Sequence, residues 1–281
     1  MRCQTCGDAT SPAINECQRC RTPLGQPAIA PGVPTYSVGG LGRAAAIAVG
    51  AASLLYLPGG LFPVLGVRMA RAAAERSDRD LLLGAVVAEV LLTLVYLPAV
   101  LTATVLVIIW TWRVRTNLEA FPGAVPTLSP AWAIAGWLVP LANLVVPARV
   151  VSDVARNSLW RRTTPALVGL WWTACLVFVG GERIVTYLDE QRYSRLTEWP
   201  RSETEFATYV RYYQDALGPR VIPVVACLIA GASFIVLIRR ISAAQQERIA
   251  KAVPLRPGRP GGIVPDPASA TPPAVAGTTG T

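Results

Sequence analysis

Four apolar stretches, residues 41–67, 81–112, 165–187 and 221–238, constrain this chain more than anything else in it. Each comes close to or exceeds the ~20 residues of helix that cross the hydrocarbon of a bilayer. Lipid offers no water to backbone amides and carbonyls, so a segment there must bond internally, and runs of this length do so as helices. The expectation is an all-α membrane protein with four transmembrane helices. Composition agrees: the 281 residues are 52% hydrophobic and only 15% charged.

The sequence contains no histidine. That removes the commonest general base and metal ligand, along with Ser-His and Cys-His nucleophile pairs and HExxH sites, so no catalytic residues are assigned and an enzyme is not expected. The net charge of +9 is spread over segments flanking the apolar runs. Such a pattern suits the bilayer and its anionic headgroups better than nucleic acid.

Residues 128–162 pass from a proline-broken apolar run into a basic amphipathic one. Ser129 and Pro130 form a helix start, with the hydroxyl available as a cap and the proline in the first helical position. Pro140 then interrupts the helix, Asn143 places a carboxamide among apolar residues, and Pro147 follows. Irregular backbone at membrane depth persists only when buried in protein or facing a wet cavity. From Arg149 onward, Val150, Val151, Val154, Ala155 and Leu159 share one face while Arg149, Asp153 and Arg156 take the other. Residues 130–160 therefore read as a re-entrant or interfacial segment. A fifth crossing by 131–148 is the alternative.

Residues 1–21 hold Cys3, Cys6, Cys17 and Cys20 in a C-x2-C-x10-C-x2-C pattern. Two CxxC turns facing each other supply four soft ligands for a tetrahedral structural zinc, and Gly7 suits the tight turn after Cys6. Disulfides or free thiols are the alternative. No aromatic residue accompanies the cluster and its net charge is small, so it is read as a zinc ribbon that engages a protein partner. Residues 22–40, rich in proline and glycine, read as a semi-extended linker that holds the ribbon near the membrane without packing on it.

Pro58 and Pro63 bracket Gly59 and Gly60 near the end of the first span, where a kink is expected. With the third span taken as 165–181, extendable toward Tyr187, Glu89 is the only carboxylate within the apolar spans, and counting back from Trp110 places it near the outer interface. Glu89 and Asn143 are the two candidates for an intramembrane polar site. In the third span Gly169, Gly180 and Gly181 offer close helix packing. Ser202 and Glu205 form a capping box for an outer-loop helix over 202–217, whose Phe206, Tyr209, Val210 and Tyr213 face should dock on the span ends, with Gly218 and Pro219 as its stop. Residues 241–281 read as a short charged helix and a disordered tail.

With four crossings, the segments bearing the two termini and residues 113–164 share one side. They carry 16 of the 26 Lys and Arg residues, which marks that side as cytoplasmic. The expected location is the cytoplasmic membrane with both termini inside.

The run WTWRVRTNLEAF, followed by LSPAWAIAGWLVPLANLVVPARVVSDVARNS, resembles an uncharacterised, largely actinobacterial membrane family, domain of unknown function 4328. The likeness rests on Trp112, Arg115, Asn117, Ser129, Pro130, Trp132, Trp137, Pro140, Asn143 and Pro147 and extends over roughly 44–240. It implies a multi-pass membrane protein, often with an N-terminal zinc ribbon, and supplies no activity. Two functions remain: an interaction, sensor or scaffold protein anchored in the membrane, or a component of a small-solute or ion transporter. Assembly with further copies of the chain could make good the small number of spans in the second case.

Overall fold

The computed structural model describes residues 1–3, 5–11, 13–19, 22–159 and 164–252. Its helices are α1 (Gly39–Gly60), α2 (Phe62–Arg76), α3 (Arg79–Asn117), α4 (Trp132–Leu138), α5 (Val146–Ser158), α6 (Ala166–Tyr193) and α7 (Glu203–Ala252). Four helical segments are long and apolar enough to cross a membrane, within 39–76, 79–120, 166–193 and 203–251. This architecture is that of an all-α membrane protein. Among the described residues no strand forms, only two isolated bridges near the N-terminus.

Helix α1 packs on α3 and on α7, and α6 packs along α7 and touches α1 through the Tyr56 and Phe178 rings. Close approach of α1 and α7 depends on residues without bulk. A Cβ on Gly42 would fall 2.3 Å from the Ser242 hydroxyl oxygen, and one on Gly231 would fall 2.4 Å from that of Ser53. These are the small residues that let apolar helices pack in the absence of a hydrophobic drive. The glycines singled out in the third span behave differently: Gly169 and Gly180 face open space and only Gly181 comes near a neighbour, Pro223.

Several boundaries differ from expectation. The first span, read as 41–67, breaks at Leu61, and the chain stays helical through Arg76. Proline is tolerated at the start of α2, so Pro63 ends one helix and begins another. The arginine-rich segment after residue 67 is thus an amphipathic helix that buries Val67, Ala70 and Ala73. The span 81–112 is the interior of a 39-residue helix of about 58 Å, which continues through Pro98. The third span, read as 165–187, continues to Tyr193.

The largest correction concerns the helix 202–217, the span 221–238 and the charged segment after 240, which form one 50-residue helix. The capping box forms as expected, with Ser202 N–H donating to Glu205 Oε2 at 3.1 Å. Gly218 and Pro219 do not end the helix. Phe206, Tyr213 and Ala216 before the proline and Val224 and Cys227 after it are buried along the same helix, and this packing outweighs the lost backbone bond. Phe206 and Tyr213 dock on Phe62, Ala70 and Leu82 of α2 and α3.

Residues 128–158 form a hairpin. Helix α4 has 7 residues, the segment 139–145 is irregular apart from a short turn at Ala142–Leu144, and α5 has 13. Neither helix is long enough to cross a bilayer. The hairpin starts and ends at the same end of the bundle: Thr127 beside its entry donates its N–H to Asp153 of α5 at 3.0 Å. Ser129 contributes a carbonyl to the first turn, accepted from Trp132 N–H at 3.1 Å, and its hydroxyl makes no cap. The tail after residue 252 lies outside the described residues.

Candidate functional site

The end of α3 ties together the N-terminal linker, the hairpin and α7. Asn117 is fully buried and its carboxamide is saturated: Oδ1 accepts from Tyr36 N–H at 2.7 Å, while Nδ2 donates to Tyr36 O and to Gln245 Oε1, each at 3.0 Å. Gln245 in turn donates to Val114 O and to the Ser158 hydroxyl of α5, both at 2.9 Å. Trp112 packs its ring against Tyr36 at 5.1 Å. One turn away, Trp110 donates to Ser242 at 2.9 Å. Arg115, almost wholly buried, donates through Nε to Leu128 O at 2.6 Å and fixes the entry to the hairpin.

The linker, read from the sequence as a semi-extended tether, is therefore docked on the bundle. Arg248 donates to Ala28 O at 2.9 Å and to Pro122 O at 3.0 Å, and its guanidinium lies over the Phe121 ring. Ala30 N–H donates to Ala120 O at 2.8 Å. Proline-rich composition favours extension, but an extended backbone presents unpaired groups, and buried side chains on α3 and α7 meet them.

At residues 1–24, Arg2 bridges to Ala9 and Glu16 to Pro23, so each CxxC turn sits in a small loop closed by backbone pairing. Cys3 N–H donates to Asp8 O at 2.9 Å and Cys17 N–H to Thr22 O at 3.0 Å. Gly7 has φ +74°, a conformation that side chains disfavour, as the tight turn required. The sulfurs of Cys3, Cys6 and Cys17 all lie within 4.8 Å of one another, with Cys6 and Cys17 at 3.5 Å. A disulfide needs about 2.05 Å, whereas thiolates around one tetrahedral ion at about 2.3 Å stand roughly 3.8 Å apart. The three sulfurs are thus spaced to share a metal ion. Cys20 lies outside the described residues.

Glu89 lies at the opposite end of the bundle, in a cavity of about 270 Å³ with Tyr56, Tyr96, Glu182, Asp189 and Arg220. Arg220 is the hub: Nη2 is 2.6 Å from Asp189 and 3.6 Å from Glu89, and Nη1 donates to Gly59 O at 3.2 Å. Gly59 needs that donor because its helical partner, four residues on, would be the N–H that Pro63 lacks. Tyr56 donates its hydroxyl to Glu182 at 2.5 Å. Glu182 and Asp189 are not singled out by the sequence, since both follow the unbroken apolar run that ends at Gly181; α6, which continues to Tyr193, brings them beside Glu89.

The structure separates the two polar candidates. Asn143 lines a second, largely apolar cavity with Trp137 and Trp172, and Tyr96 is the residue common to both cavities. Of the other residues in the motif, Pro130 precedes α4, Trp132 is exposed, Pro140 stands in the break and Pro147 is buried in the first turn of α5. Of the ten motif residues Ser129, Trp132 and Pro140 are exposed, while the other seven are buried or half-buried at the hairpin or at the end of α3.

No curated protein and no solved structure matches the chain. A family model, described as a domain of unknown function (DUF4328), matches residues 73–243, from the end of α2 to the part of α7 that holds Ser242. The matched region excludes the cysteine cluster, the linker and α1, so the likeness begins later than residue 44. On that match, and on the motif residues whose contacts are described above, the chain belongs to the DUF4328 family.

Proposed function

We propose that this is a membrane-anchored interaction, sensor or scaffold protein, whose N-terminal cysteines form a structural zinc ribbon held against the cytoplasmic end of the helix bundle. The observation that carries the reading is the docked linker: Asn117 and Arg248 bind Tyr36 and Ala28, so the segment that follows the cysteine module is fixed on the bundle. Cys3, Cys6 and Cys17, completed by Cys20, would hold the ion, and four thiolates leave no position open for catalysis. A module so mounted can transmit the binding of a cytoplasmic protein to α3 and α7. The excess of Lys and Arg on that side supports the cytoplasmic orientation and contact with anionic headgroups.

The test uses the full-length protein in its native membrane, cross-linked and purified. Wild-type protein should carry about one zinc per chain and retain a defined partner. Cys17→Ser and deletion of residues 1–24 should both lose that partner, while Asn143→Leu keeps it. Identical partners in all four samples would overturn the reading.

A second reading, a component of a transporter for small solutes or ions, is favoured by the cavity around Glu89, Glu182, Asp189 and Arg220. Flux into proteoliposomes that is insensitive to Glu89→Gln and to Asn143→Leu would remove it.

A further inference from the structure

The second cavity has a volume of about 400 Å³, within the ~300–1,000 Å³ typical of small-ligand sites. Its floor is the α1–α7 pair, contributing Val49, Ala52, Ala230 and Phe234. Its walls are α3, from Tyr96 to Val107, and α6, from Trp171 to Val179. That register is 12 residues of α3, or about 16 Å along the helix. Among the described residues α3 and α6 form no packed interface with each other, and Leu176 and Val179 on the α6 rim are exposed, so the groove opens sideways. It closes at one end on the rings of Tyr96, Tyr56 and Phe178, and at the other on the broken tip of the hairpin.

Away from the hairpin, the polar oxygens lining this groove are the hydroxyls of Ser53, Tyr96 and Thr104, the last donating to Val100 O at 2.8 Å. Not one charged side chain lines it. At the hairpin end, however, the Trp137 indole N–H is buried with no hydrogen-bond partner, and the Asn143 carboxamide beside it makes no side-chain bond. Trp172 donates to Leu144 O at 3.1 Å, which fastens the tip to α6 and holds both groups in place. A buried donor without an acceptor costs about 1–3 kcal/mol, and lipid supplies no water to relieve it. The complement is an uncharged acceptor at one end of an extended apolar chain.

We infer that this groove is a binding site for one membrane glycerolipid: an acyl chain lies between α3 and α6, and its ester carbonyls accept from Trp137 Nε1 and Asn143 Nδ2. The side of the groove is open to the bilayer, so the chain enters without leaving lipid. An ionised fatty acid fits poorly, because its carboxylate would meet no cation there. The inference is independent of the zinc ribbon.

The groove carries its own reporter, Cys175, which lines it on α6. Full-length protein in detergent is alkylated with N-ethylmaleimide, and the rate at Cys175 is followed by peptide mass spectrometry during titration with short-chain diester phosphatidylcholine or its diether analogue, which lacks the carbonyls. The diester lipid should protect Cys175 saturably, and the diether analogue should need about tenfold more, the worth of two neutral hydrogen bonds. Trp137→Phe with Asn143→Leu keeps the apolar lining and should bring the two lipids to the same weak affinity. Equal protection by the two lipids in the wild type, or none by either, would overturn the assignment. Because the lipid comparison is made on the wild-type chain, it stands even if the variant fails to fold.

Discussion

Asn117 shows how much a single buried side chain can decide. Its carboxamide has two donor hydrogens and one acceptor oxygen, and all three are engaged, two of them on the Tyr36 backbone as a neighbouring strand would engage it. Asn117→Ala leaves the Tyr36 N–H and C=O and the Gln245 side-chain oxygen without partners in a dry site. It is expected to lower stability by about 2–3 kcal/mol and to open residues 26–37 to limited proteolysis, with the helical content of the bundle unchanged. A variant as protease-resistant as the wild type would show that the linker is held by other contacts. Gly66 is the opposite kind of residue, important for what it lacks: a Cβ there would stand 2.3 Å from the Tyr213 ring. Gly66→Ala should cost about 1–3 kcal/mol through overpacking, and Tyr213→Leu should relieve most of it in a double-mutant cycle read by thermal unfolding. Asn117 was legible in the sequence only as part of a motif. Its partners are 81 and 128 residues away, and pairing over such separations leaves no periodic trace.

At the scale of elements, prolines are used in three ways that the sequence does not distinguish. Pro63 starts a helix, Pro140 stands in a true break, and Pro219 and Pro223 lie within a helix that continues past them. The capping box at Ser202 and the apolar stripe of the following residues were readable because both are local. The continuation of that helix into the next span was not, because it rests on packing against α2 and α6. The same reason hid the cluster around Arg220: Glu182 and Asp189 look like loop acids until α6 is seen to extend past the apolar run. Within this cluster the ion pairs differ in worth. Arg220 is 16% exposed and close to Asp189, whereas Glu89 is 38% exposed and 3.6 Å away. Arg220→Met should therefore destabilise strongly, by about 3 kcal/mol, since it strands a partly buried carboxylate and the Gly59 carbonyl. Glu89→Gln should change stability by less than about 1 kcal/mol. Thermal unfolding of the two purified variants checks the order, and a larger loss for Glu89→Gln would contradict the geometry.

For the whole molecule, α1, α3, α6 and α7 carry the four segments long and apolar enough to cross a membrane, and the α4–α5 hairpin occupies one end. Exposed Ile134, Leu138, Leu141, Leu144 and Val145 on the hairpin suit contact with lipid, while buried Val150, Val151 and Val154 tie α5 to the core. The linker and the hairpin base meet at the ends of α3 and α7, and we assign them, with the cysteines that precede the linker, to one side of the membrane. Impermeant thiol labelling in intact cells tests that shared side most directly. Cysteines are placed singly at Val125, Arg149 and Ser202, all exposed, with the unaltered chain as the blank. Residues 125 and 149 flank the hairpin tip, and residue 202 precedes α7. Labelling of Ser202→Cys alone, with Val125→Cys and Arg149→Cys reached only after permeabilisation, is the predicted result. Labelling of either Val125→Cys or Arg149→Cys but not the other would mean that the hairpin crosses the bilayer, and would contradict the account.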